Sequence, residues 1–217
     1  MTPLFSWLAR RSTNGATHSS RPDTYAGFEQ LAHVEREGET WRVVSRAGGT
    51  SFAVVAPHGG GIEPGTSELA HAIAGADHAL YVFEGLMWRG NERLHVTSTR
   101  FDEPRLAVIA KQVDVLIAMH GERGGGRNVY LGGLHEELRD RMERQLREEG
   151  FEVGVHPLLA GLEPANLCNR GRSARGVQLE LSAGLRRSMF ASLGRRGRAS
   201  PTAVFDRFVA AVRAGLG

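Results

Sequence analysis

The sequence predicts an α/β fold in which a mixed, mostly parallel central sheet is flanked by helices. From Tyr25 onward, short runs rich in Val, Leu, Ile and Phe alternate with segments of helical periodicity, the order expected when strands are covered by helices. Two of these runs, 52–56 (Phe-Ala-Val-Val-Ala) and 115–119 (Val-Leu-Ile-Ala-Met), are continuously apolar, as central strands buried on both faces are. A chain of 217 residues gives one such domain a full core and is short for two.

Strands are predicted over 41–46, 51–56, 79–83, 94–98, 114–119, 151–155 and 176–181. Helix signals are clearer. Thr66 and Ser67 can cap a helix through Ile73, and Pro104 suits the first position of a helix through Gln112. Over 134–149, Leu138, Met142 and Leu146 recur every fourth residue until Gly150 stops the run. A last helix should begin at Ser200-Pro201 and bury Val204, Phe205, Phe208, Val209 and Val212. Residues 1–25 mix Ser, Thr, Arg, Asn and Pro with little periodicity and read as a flexible tail, leaving 26–217 as the domain.

No apolar run approaches the roughly 18 residues of a membrane-spanning helix. The short apolar stretch 3–9 has Arg10 and Arg11 after it, the reverse of a signal peptide, so the expected location is the cytoplasm. A monomer is expected. Cys168 is the only cysteine, which excludes an internal disulfide and thiolate metal sites, so any metal must be held by histidines and carboxylates. A net charge of +3 is carried mainly by arginine, including Arg123, Arg127, Arg175, Arg186, Arg187, Arg195, Arg196 and Arg198. Such a surface attracts polyanions without choosing among them.

The two most apolar strands both end in His-Gly, at His58-Gly59 and His120-Gly121. Side chains at the carboxyl ends of central strands line the ligand crevice of α/β sheets, so two histidines from different strands reach one edge. After His58, three glycines allow a turn tight enough for Glu63 to return beside the imidazole. Two neutral imidazoles and a carboxylate leave a tetrahedral zinc one open position, as catalytic sites do. The ordinary alternative is that both histidines are capped or hydrogen-bonded core residues. His-Gly-Gly-Gly also occurs as an oxyanion loop of esterases, but the required Gly-x-Ser-x-Gly elbow is absent, and no Gly-Lys-Ser/Thr completes a phosphate loop at 121–126.

The run 176–182 alternates, placing Val177, Leu179 and Leu181 on one face and Gln178, Glu180 and Ser182 on the other. Glu180 is the candidate general base, a carboxylate able to take a proton from water and pass it to a leaving nitrogen. From alternation alone, a glutamate on a solvated face is the commoner outcome. Asn169, Arg170 and Arg172 precede this strand and Arg100 follows the 94–98 run, so these four are the candidates for holding substrate carboxylates, Arg170 foremost and as a catalytic residue. Each arginine has a commoner fate as a solvated surface charge.

Six stretches in order, 56–63, 96–104, 118–121, 129–133, 169–171 and 176–182, resemble the poly-γ-glutamate hydrolase family, first associated with phages and sharing the zinc carboxypeptidase-like fold. The resemblance spans about residues 50–190. It implies one zinc at His58, Glu63 and His120, Glu180 in the role of the carboxypeptidase base, and γ-linked glutamate polymers or other γ-glutamyl amides as substrates. The first motif spaces histidine and glutamate five apart, unlike the His-x-x-Glu of carboxypeptidases, so their carboxylate clamps do not carry over. A zinc peptidase or amidase acting on cell-wall or acyl-amino-acid substrates remains the alternative enzyme. A nucleic-acid-binding role is the alternative of another class; the arginines are not interleaved with aromatics, and no binding signature appears.

Overall fold

A computed structural model describes residues 22–217. Seven strands, β1 (Trp41–Arg46), β2 (Phe52–Gly60), β3 (Ala79–Gly85), β4 (Val115–Glu122), β5 (Asn128–Gly132), β6 (Glu152–Gly154) and β7 (Val177–Ser182), form one sheet in the order β1-β3-β2-β4-β7-β5-β6. The central four, β3, β2, β4 and β7, are mutually parallel, while β1 and the β5–β6 pair run antiparallel to their neighbours. The predicted mixed, mostly parallel sheet is therefore the observed one. Its continuously apolar strands β2 and β4 lie side by side at its centre.

Six helices cover it: α1 (Phe28–Val34), α2 (Thr66–Ala74), α3 (Pro104–Ala110), α4 (Glu136–Glu148), α5 (Ala183–Ser188) and α6 (Ala203–Leu216). Val54, Ala56, Ile117, Met119 and Leu179 face α2, α4 and α6 through Ile73, Met142 and Phe208. Val55, Leu116 and Ala118 face the opposite layer, where Phe28, Phe83 and Phe101 meet edge-on or tilted beside α1 and α3. The period-2 alternation of the strands thus divides the core into two layers.

Local chemistry explains the helix starts. Pro104 opens α3, whose first turn is capped by Glu103 accepting from Leu106 N at 3.0 Å. Thr202 caps α6, so the last helix starts two residues beyond Pro201. Thr66 and Ser67 do not cap α2. Their hydroxyls bond Glu63 O (2.9 Å) and Gly60 N (2.8 Å), tying down the loop that carries Glu63.

The strand expected over 94–98 is not formed. Asn91–Leu94 is a 3-10 turn followed by an extended loop. Leu94 and Val96 are fully buried, which accounts for the alternation, but the Thr97 amide and Val96 carbonyl bond side chains instead of a neighbouring strand. Residues 1–21 of the expected tail lie outside the described residues. Of the remainder, Tyr25 is buried and donates to Glu35 at 2.5 Å, and Asp23 is bonded into the 95–100 loop.

Cys168 is fully buried, and burial pushes its thiol up to about 12. Because the thiolate is the reactive form, the native protein should react with a thiol reagent orders of magnitude more slowly than the denatured chain, which a colorimetric thiol assay with and without denaturant checks.

Candidate metal centre

His58, Glu63 and His120 meet at the carboxyl ends of β2 and β4, their ligand atoms all within 4.8 Å of one another. The meeting depends on an irregularity in β2. Ala56 pairs with Val82 but Gly59 with Glu84, so three steps along β2 match two along β3. One extra residue reverses the side-chain parity, a known use of a β-bulge. Without it His58 would share the face of Val54 and Ala56; with it His58 lies among Val96, His95 and Phe101 on the face that also carries His120. The glycines after it are required by close approach: a Cβ on Gly59 would lie 2.3 Å from Ser67 Oγ, and one on Gly61 2.4 Å from Asn91 Nδ2. Glu63 N then returns to His58 O at 2.8 Å.

The donor set fits a metal cation. His58 Nε2 lies 2.9 Å from the Val96 carbonyl, a contact only an N–H can make favourably, which leaves the Nδ1 lone pair of a neutral ring pointing inward. That Nδ1 lies 3.1 Å from Glu63 Oε1 and 3.2 Å from His120 Nδ1, while the other nitrogen of His120 is 3.4 Å from Ser98 Oγ. Several electron-rich atoms thus face each other at hydrogen-bond distance and require a proton or a cation between them. Histidines held from behind by a carbonyl or hydroxyl are typical of metal ligands. Without a metal the proton goes to His58: burial alone would lower it, but Glu63 beside it raises it, while burial, then His58, pushes His120 down to about 3. Burial alone would raise Glu63, but the three surrounding histidines bring it to about 2. Glu63 Oε2 also accepts from Gly121 N at 2.7 Å.

Glu180 is adjacent. It is the register partner of His120 on β7, is buried, and accepts from Gln178 Nε2 at 2.9 Å. Burial first, then Glu63 and Glu122, raise its carboxyl well above the usual range. Tyr130 on β5 is its register partner on the other side.

The other expected site residues are placed differently. Arg170 donates to the carbonyls of Ala165, Ser98, Thr99 and Phe101, so its guanidinium braces loops and has no fork turned to a ligand. Asn169 is buried, with all its capacity used on Leu134 N, Gly176 N, Gly161 O and Glu163 O; Gly176 is four residues, about 13 Å of strand, from Glu180. Arg172 pairs with Asp114 at 2.9 Å, ahead of the amino end of β4 and so at the opposite edge of the sheet. Arg100 is half-exposed but ion-paired with Asp23 at 2.5 Å.

Three residues at the site lack an obvious signal in the sequence. Arg186, counted above among surface arginines, is buried and donates to Leu181 O, Pro64 O and Glu122 O, linking β7, the Glu63 loop and β4. Glu122, two residues past His120, is buried, with Oε1 accepting from Gly124 N and Oε2 lacking a hydrogen-bond partner among the described residues. His95 lies with its ring centroid 4.0 Å from that of His58.

A family model for poly-gamma-glutamate hydrolase matches residues 25–211, nearly the whole described chain. The chain belongs to the poly-gamma-glutamate hydrolase family. As a family member it is a hydrolase. The UPF0714 protein YndL of Bacillus subtilis (strain 168) is 35% identical over 181 residues, covering 82% of this chain and 71% of that protein. The solved bacteriophage poly-gamma-glutamate hydrolase superposes with a TM-score of 0.88 at 33% identity, covering 90% of this chain and 97% of the phage chain. A zinc-free form of YndL superposes at 0.83, also with 33% identity, over 90% and 98%. Among the described residues no helix is long and apolar enough to cross a membrane.

Proposed function

We propose that this hydrolase cleaves γ-glutamyl amide bonds, with poly-γ-glutamate as its substrate class, using one zinc held by His58, Glu63 and His120 and Glu180 as general base. The observation that carries the reading is the convergence of two imidazole Nδ1 atoms and a carboxylate beside a buried glutamate, in a chain of this family. Zinc held there supplies Lewis acidity, which acidifies a water and polarises an amide carbonyl. Glu180, with one oxygen fixed by Gln178, takes a proton from the attacking water on its carboxylate and returns it to the leaving nitrogen. Arg186 ties the Glu63 loop to the ends of β4 and β7, which carry Glu122 and Glu180.

An anionic polymer needs cations at the rim of the site. With Asn169, Arg170 and Arg172 engaged elsewhere, Arg123 and Arg127 take that role. Both are exposed on the turn leaving β4 just past His120 and join no ion pair among the described residues. The test is metal content of the purified protein together with product analysis on poly-γ-glutamate and on α-linked polyglutamate. One zinc per chain and fragments from the γ-linked polymer alone are expected. Stoichiometric zinc without γ-cleavage would move the substrate to other amides, and absence of metal after zinc loading would remove the centre.

A further inference from the structure

We propose that Asp23 is a positioning residue for the metal centre, acting on His58 through the Val96–Thr97 peptide; the inference rests on the metal reading given above. Asp23 lies two residues ahead of the stretch matched by the family model and within what the sequence presents as a tail. Its side chain is nonetheless 4% exposed and makes three bonds: Oδ1 to His95 Nδ1 at 2.7 Å, and Oδ2 to Thr97 N at 2.8 Å and Arg100 Nη2 at 2.5 Å.

The Thr97 bond is the informative one. The Thr97 N–H and the Val96 carbonyl belong to one peptide group, which is planar with its N–H and C=O on opposite edges. Asp23 accepts from one edge, and the other edge accepts from His58 Nε2 at 2.9 Å. The carboxylate therefore fixes the plane that fixes the imidazole. It also polarises the carbonyl, since hydrogen bonds in series strengthen one another by about 10–30% each. The effect is to keep the His58 proton on Nε2 and the Nδ1 lone pair turned inward. The next residue, Ser98, is the one beside His120 Nε2, and His95, also held by Asp23, lies against the His58 ring. One carboxylate thus orders the loop behind both imidazoles. Carboxylates behind metal-bound histidines usually touch the ring directly; here a peptide is interposed.

Zinc dissociation constants of the full chain, measured by chelator competition, test this. Outer partners of metal ligands alter affinity by 10–100-fold, and one peptide removed Asp23→Ala should weaken zinc roughly tenfold. Asp23→Asn keeps an acceptor but loses the charge that about doubles such bonds, so its loss should be smaller yet measurable. Arg100→Ala, which removes the third partner and leaves the peptide bond in place, should stay within about twofold. Unchanged zinc affinity in Asp23→Ala, or in Asp23→Asn should the alanine variant not fold, would overturn the proposal even if melting of the metal-free protein falls, because Asp23 would then serve only local structure. A wild type that binds no zinc would overturn the metal reading itself.

Discussion

Replacing His120 by alanine is expected to abolish zinc binding and turnover while leaving a folded protein. Outer partners of a metal ligand alter affinity by 10–100-fold, so loss of one of three protein ligands should weaken zinc on the order of 10³-fold or more. Micromolar zinc should then leave the variant empty, and cleavage should fall below detection. The fold should survive because His120 sits at the end of β4 outside both apolar clusters, and its side-chain contacts are with Ser98, His58 and Glu63 of the site itself. Metal analysis, circular dichroism and turnover on one preparation separate these effects. Wild type stripped by a chelator should recover with added zinc, and His120→Ala should not. Zinc-independent activity in the variant would falsify the proposed centre.

How much of this was legible in the sequence follows from which residues make local and which make distant bonds. The apolar runs gave the central strands and the His-Gly pairs their edge, because burial on both faces leaves a short continuous apolar run that flanking glycines and β-branched residues mark as a strand. β5, α1 and α5 escaped notice. β5 is five residues following a glycine-rich turn, α1 has Gly27 at its N-cap and no side-chain cap, and α5 starts directly from β7 at Ser182. Ser182, which accepts from Leu185 N, was the available signal for α5. The false strand at 94–98 showed correct alternation, but alternation reports burial and not hydrogen-bond partners. The arginines were the least readable group. Arg170, Arg172 and Arg186 look alike in the chain, yet one binds loop carbonyls, one pairs with Asp114 at the far edge, and one is buried and ties the Glu63 loop to β4 and β7. Only tertiary placement distinguishes them. Asp23 was missed for the same reason, since its partners lie more than 70 residues away.

Glu180→Gln should do what His120→Ala cannot, removing turnover while zinc remains. Glu180 is not one of the three converging ligands, and glutamine preserves its volume and can still accept from Gln178 Nε2 through its amide oxygen. What it cannot do is take a proton, and general-base catalysis is worth about 10²–10⁴-fold in rate. A fall of that size in kcat with unchanged zinc content is expected. The metal-free protein offers a second, independent readout. Burial and the neighbouring Glu63 and Glu122 raise the Glu180 carboxyl, so between the unfolded pKa and the folded one the native state binds more protons than the unfolded state. By linkage, the stability of the metal-free wild type then falls as pH rises through that window. Glutamine has no proton to lose, so metal-free Glu180→Gln should melt above metal-free wild type at neutral pH, and the difference should shrink towards pH 4. Lost turnover with raised apo stability identifies a buried carboxylate held at the site for chemistry at a cost to the fold. Retained turnover would pass the base role to Glu122, the other buried carboxylate on that face, whose Oε2 has no hydrogen-bond partner among the described residues.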